Sequence, residues 1–268
     1  MTSDENKMQL IPIVHACYFK ASSSGENFVP HHIFSYQLSG SMIVNDGKQV
    51  YTFEPGDFRL SKRNQLAKYL KQPPPGGEFK TVAIFFDQQT LREFSATYGY
   101  EAKKTYNGPG FIKLAGSQLY KDFVESLLPY LDADQFTDRD LLALKLKEAL
   151  LIILEVNPEL SDVLFDFSEP GKIDLEGFMQ QNFHFKVGMH RFAYLTGRSL
   201  ASFKRDFKKI FKISPSRWLI QRRLQEAYFQ IKEKGKRPSE IYSDLGFEDF
   251  SHFTYAFRKA YGAAPTKI

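Results

Sequence analysis

Residues 198–218 read RSLASFKRDFKKIFKISPSRW, from Arg198 to Trp218, and the fold of the chain's second half turns on them. Phe203, Phe207 and Phe211 recur at a helical stride, while Lys204, Arg205, Lys208, Lys209 and Lys212 fill the gaps against a single acid, Asp206. On a wheel of roughly 100° per residue, Leu200, Phe207, Ile210 and Phe211 fall within about 80° of Phe203. Ala201, Lys204, Arg205, Lys208 and Lys212 fall on the far side. The pattern predicts a helix over about 199–211 with one face buried in aromatics and the other charged.

A second copy follows 50 residues on. Phe253, Phe257 and Tyr261 match Phe203, Phe207 and Phe211; Arg258 and Lys259 match Lys208 and Lys209; Pro265 matches Pro215. A repeat of this kind takes priority in reading a fold. The second helix is expected over about 249–261, with Ser251, Thr254, Tyr255 and Arg258 on its outer face. Each copy follows a short helical stretch and a glycine, through Gly197 to a capping Ser199 and through Gly246 to a capping Asp249. Short helix, glycine turn, second helix is the helix-turn-helix pattern, whose second helix enters the major groove of DNA. Between the copies, SPSRWLIQRRLQEAYFQIKEK reads as one long helix, with Ser214 as cap, Pro215 at its first position and Trp218, Leu219, Leu224, Ala227 and Ile231 facing inward.

Charge separates the two halves of this 268-residue chain of net charge +5. Residues 1–169 hold 17 Lys and Arg against 22 Asp and Glu, a balance of −5; residues 170–268 hold 19 against 9, a balance of +10. Only the second half suits a polyanion. The lone cysteine, Cys17, cannot staple a fold. The start, MTSDENKMQL, lacks an apolar signal core, and the longest apolar run, Ala149–Leu154, is too short to cross a bilayer. A cytoplasmic protein with no membrane partner is expected.

Residues 10–90 read as strands: FSYQLSGSMIV, KQVYTFEPGDF and FKTVAIFF, separated by Asn45-Asp46-Gly47, Pro55-Gly56-Asp57 and the PPPGG at 73–77. They predict a small barrel or sandwich. After about residue 116 the period turns helical, with Thr137 as cap of a helix over 137–156 whose wide apolar face packs on the sheet or forms a dimer. The expected fold is α+β in two domains. Residues 1–160 are expected to form a β-rich domain with a helical pair, 161–174 a linker, and 175–268 an all-α domain of two helix-turn-helix motifs joined by a long helix.

The residues of that second domain resemble the AraC/XylS family of transcriptional regulators. The resemblance rests on F-K-x-x-F-x-x-x-x-x-x-S-P-x-x-W-L-x-x-R-R-L-x-x-A from Phe203 to Ala227, and on EIYSDLGF and SHFTYAFRKAYGAAP further on. This text and the front domain are similar to the ExsA-like subgroup. The resemblance implies sequence-specific binding to double-stranded promoter DNA, and activation through RNA polymerase. Ala201, Ser202, Lys204 and Arg205 would face bases in one groove, and Ser251, Thr254 and Tyr255 in the next. Lys208 and Arg258 would touch phosphates, and Arg223 would pair with an acid between the subdomains. Phe250 and Tyr255 depart from the family's polar residues there. For residues 1–160 the resemblance implies a cupin-like regulatory and dimerisation domain controlled by a regulatory protein or small effector; the apolar 137–156 helix is the expected homodimer seam.

No catalytic residue, cofactor or metal is expected. His31 and His32 are adjacent, so on a strand they point to opposite faces; Gln37 stands where a cupin enzyme would want Glu; and no His occurs between 33 and 183. The alternative reading is a metal- or ligand-binding cupin protein with a helical partner-binding appendage. A third is an adaptor whose basic face meets an acidic protein.

Overall fold

Alternating apolar and polar residues in the first half become a β-rich domain. The computed structural model describes residues 12–22, 27–131 and 139–268. These divide into two compact units, one running to Phe167 and one over Ser168–Ile268, with 27–28 and 66–68 grouped with the second.

In the first half of the chain, β1 (Ile13–Tyr18), β2 (Phe28–Val29), β3 (His32–Ser39), β4 (Ser41–Asn45), β5 (Val50–Phe53), β6 (Phe58–Ser61), β7 (Gln65–Leu66), β8 (Lys68–Gln72), β9 (Phe79–Phe86) and β10 (Phe111–Leu114) form three sheets. The largest is antiparallel, in the order β1-β9-β3-β6-β10. The expected Asn45-Asp46-Gly47 hairpin joins β4 to β5. Asp46 Oδ1 accepts from the Lys48 and Gln49 amides, each at 2.8 Å, and tightens the turn.

Strand alternation gives the large sheet two different faces. Phe34, Phe58, Leu60, Val82 and Ile84 pack with α1 (Gln88–Tyr98), α2 (Gln118–Leu131) and α3 (Arg139–Val156). The opposite alternation buries Ser35, Gln37, Arg59 and Thr81, with Ser35 paired across to Arg59 and Gln37 to Thr81. Arg59 lies 5.1 Å from the Phe53 ring centroid, and burial lowers its pKa to about 10, which leaves it charged at neutral pH. Helix α3 sends Leu146, Leu150 and Ile153 into the core; Leu144 is 60% and Leu151 39% exposed. The expected cap Thr137 lies outside the described residues.

The linker is shorter than the expected 161–174. After a 3-10 turn at Pro158–Leu160, α4 (Ser161–Leu164) and Phe165 return to the first core, with Phe165 stacked 6.0 Å from Phe94. Asp162 is buried there and accepts the amides of Lys103 and Lys104 at 2.7 and 3.2 Å. Pro158 marks a bend inside the domain, and V-L-F at 163–165 belongs to its core.

From Ser168 on, the second unit is helical: α5 (Leu175–Asn182), α6 (Met189–Leu195), α7 (Leu200–Phe211), α8 (Pro215–Lys232), α9 (Pro238–Ile241) and α10 (Phe250–Tyr261). Two aromatic cores share α8. Trp218 and Leu219 join Phe203, Phe207 and Phe192, and Leu224 and Ala227 join Phe253, Phe257, Leu245 and Ile241. An 18-residue helix is about 27 Å long, so one rigid rod serves both cores. Ser214 occupies the α8 N-cap position but makes no side-chain capping bond, so Pro215 alone supplies the sequence-encoded start. Among the described residues no helix is long and apolar enough to cross a membrane.

Candidate nucleic-acid interface

The two stripes read from sequence lie on α7 and α10. Ser199 Oγ accepts the Ser202 amide at 3.2 Å, and Asp249 Oδ1 accepts the His252 amide at 2.6 Å, so both helices carry the caps their sequences announce. Phe203, Phe207, Phe253 and Phe257 are fully buried. The apolar stripe of α7 is narrower than the wheel suggests, because Leu200 and Ile210 remain 39% and 41% exposed at its edges.

Outside that stripe, Ala201, Lys204, Arg205 and Lys208 are exposed, and Ser202 is half-buried beside Ser199, whose hydroxyl donates to its own at 3.1 Å. On α10, Ser251, Tyr255 and Arg258 are exposed, Tyr255 by 68%. Thr254, expected on the outer face, is half-buried, and its hydroxyl oxygen is buried with no hydrogen-bond partner among the described residues. Phe250 packs on Tyr242 and Phe253, with ring centroids 5.5 and 6.0 Å away. Both helices end in basic residues, Lys208 and Lys209 on α7, Arg258 and Lys259 on α10, which suit the negative end of the helix dipole.

Both turns need their glycines. Gly197 has φ +64° and a Cβ there would lie 2.4 Å from the Gly171 carbonyl oxygen; Gly246 has φ +85° and a Cβ would lie 2.7 Å from Arg223 Cζ. Among the described residues Arg223 pairs with no acid, where the resemblance implied one. Its Nε donates to Phe183 O at 2.8 Å, its Nη2 to Phe185 O at 2.9 Å and its Nη1 to Gly246 O at 2.7 Å. One guanidinium from mid-α8 thus ties the α5–α6 connection to the α9–α10 turn. Burial lowers its pKa to about 10, so the charge persists at neutral pH.

Sequence reasoning missed a second clamp. Arg198 donates through Nη1 to Thr196 O and Ile173 O at 2.6 and 3.1 Å, and through Nε to Asp206 Oδ2 at 3.3 Å. Arg205 Nε stands 3.5 Å from the other Asp206 oxygen. The signal was the lone acid in a basic helix. In the first unit, His32 is fully buried, and Gln37 gives its amide nitrogen to Ser39 O and Lys80 O at 2.8 and 3.1 Å. Among the described residues, no three His, Cys, Asp or Glu side chains are grouped to hold a metal ion.

A β-rich domain followed by paired, capped helix-turn-helix units on one rod defines a helix-turn-helix transcription regulator. Residues 32–163 match the ExsA N-terminal regulatory domain and residues 192–268 match a helix-turn-helix domain. The chain belongs to the AraC/XylS family of transcriptional regulators, and its front domain places it with the ExsA-like members. The HTH-type transcriptional regulator ExsA of Pseudomonas aeruginosa is 23% identical over 232 residues, 86% of this chain and 83% of that one. The virulence regulon transcriptional activator VirF of Yersinia enterocolitica is 26% identical over 242 residues, 86% of each chain. A solved structure of ToxT from Vibrio cholerae covers 95% of each chain at 11% identity, with a TM-score of 0.40.

Proposed function

We propose that this regulator activates transcription in the cytoplasm by placing α7 and α10 in successive major grooves of double-stranded promoter DNA. The observation that supports this most is the repeat itself: two capped helices, each held by an aromatic seam to one end of α8, each presenting polar and basic residues outward. Arg205 and Lys204 carry the donors that suit guanine edges, while Ala201 and Ser202 offer small contacts to thymine methyls and the backbone. On α10, Ser251 and Tyr255 read, and Thr254 acts through packing. Lys208 and Arg258 fit phosphates, which set register and salt dependence. Activation through RNA polymerase follows the activators among its relatives. The first domain regulates, through a bound protein or small effector and a homodimer seam on α3, where exposed Leu144 and Leu151 stand two turns apart on one face.

Selection of bound fragments from randomised duplex DNA by the full-length chain tests the reading. Two enriched blocks about one helical turn (~34 Å) apart are expected. Salt-sensitive retention of DNA with no enriched sequence would refute it and favour the adaptor function.

A further inference from the structure

We propose that Asp206 is a positioning residue that aims Arg205 at a guanine. The inference rests on α7 entering a major groove, and it adds the base that is read and the residue that sets the choice.

An acid on a DNA-facing helix needs a reason, since it repels phosphates. Asp206 is the only acid in α7, among Lys204, Arg205, Lys208 and Lys209. It is half-buried beside that exposed row and stands between two arginines. Arg198, only 12% exposed, is fixed by the Thr196 carbonyl in the helix-turn-helix turn and the Ile173 carbonyl ahead of α5, and holds Asp206 Oδ2. Desolvation pushes the Asp206 carboxyl pKa up; the Arg198 hydrogen bond and the charge of Arg205 outweigh it and hold the carboxyl below its usual range. Oδ1 then pairs with Arg205, which is 66% exposed and whose Nε stands 3.5 Å away.

The point of contact matters. A guanidinium paired at Nε still has its two terminal nitrogens, side by side, to offer to a base. Two parallel N–H donors match O6 and N7 of guanine, and no other base offers two acceptors in that register in the major groove. A free arginine spends much of its time in other rotamers, including ones that reach phosphate, where it reads nothing. A chain of contacts from the turn backbone through Arg198 and Asp206 therefore converts a general cation into a base reader.

The test uses the full-length chain, a duplex site selected from a random pool, and every single-base variant of that site. Wild type, Arg205→Ala, Asp206→Asn and the double variant are compared by titration. Arg205→Ala should relax choice at one guanine. Asp206→Asn should lower discrimination at that same position about tenfold, a share of what a bidentate contact supplies. It should also hold or raise affinity for unselected duplex, because an anion has been removed. The double variant should be no worse than Arg205→Ala. Arg198→Lys, which loosens the anchor and leaves the acid, should reproduce part of the Asp206→Asn profile. If Arg205→Ala relaxes the guanine and Asp206→Asn does not, the positioning role is refuted while the groove assignment stands. If Asp206→Asn lowers affinity equally at all positions, the acid serves only the fold, and the proposal fails. If Arg205→Ala changes no position, the assignment of this face of α7 fails and takes the proposal with it.

Discussion

Replacing Arg223 by Met keeps the aliphatic stem and removes the guanidinium. Phe183 O, Phe185 O and Gly246 O then lose donors that stand 2.7–2.9 Å away. A buried carbonyl left without its partner costs about 1–3 kcal/mol, so three would cost about 3–9 kcal/mol. Releasing a buried cation, whose pKa burial has already lowered to about 10, offsets part of that. A net loss of about 3–5 kcal/mol is expected, comparable to breaking a buried ionic contact. Arg223→Lys keeps the charge but not the planar fork, and should fall between Met and wild type. Urea unfolding of the full-length chain reads this directly. The single tryptophan, Trp218, lies in the first helical core against Phe207 and Phe211, so its fluorescence reports that core alone. Far-UV circular dichroism reports all helices. In wild type the clamp joins the two cores, and in Arg223→Met the helical and fluorescence transitions should separate. A loss below about 1 kcal/mol, the value of an ordinary hydrogen bond, would show that the three carbonyls find other partners and that the clamp is not what joins the cores.

Other expectations concern the interface, the turn and the front domain. Lys208→Gln should weaken binding evenly across sequences and reduce the slope of log affinity against log salt by about 1; an unchanged slope would place Lys208 off the backbone. Gly246→Ala forces a side chain into positive φ and against Arg223, and should lower stability by more than the roughly 1 kcal/mol by which a tolerated Gly→Ala change raises it. His32 titrates near pH 3 in the fold, chiefly through burial, then through the charge of Arg63, against 6.5 for an unperturbed histidine. Its folded pKa is depressed, so the unfolded chain binds the extra proton and stability falls as pH drops below about 6.5. The drop from this group reaches about 2 kcal/mol by pH 5. In His32→Leu, denaturant midpoints at pH 7 and pH 5 should lie closer together than in wild type; an equal spread would refute the assignment.

Much of the second domain is legible because its signals are local. An aromatic every fourth residue, a capping Ser199 or Asp249, and a glycine before each cap determine helix ends within a residue or so. What escapes reading is long-range. Nothing in the neighbourhood of Arg223 announces three carbonyl partners up to 40 residues away in the chain, and an arginine more often meets an acid. The half-buried setting of Thr254 also depends on how α10 rolls against its core, which a wheel with a wide tolerance does not resolve. In the first domain, strand alternation makes the two faces of β3 readable. It does not show that Val163, Leu164 and Phe165 return to that core, because Asn157-Pro158 carries the chemistry of a domain boundary while serving as a bend.

Helix α8 has a consequence for how such a regulator can change its targets. In a helix, distance and phase cannot be altered separately. One residue inserted between Leu219 and Leu224 would lengthen the rod by about 1.5 Å and turn everything beyond it by about 100°. The second core would lose its seat, and Arg223 or its carbonyls would be carried out of reach. Small insertions or deletions are therefore closed to this chain as a route to sites with differently spaced blocks. Point changes on the outward rows of α7 and α10 remain open, so new targets are reached by changing which bases are read, at a spacing the rod has already fixed.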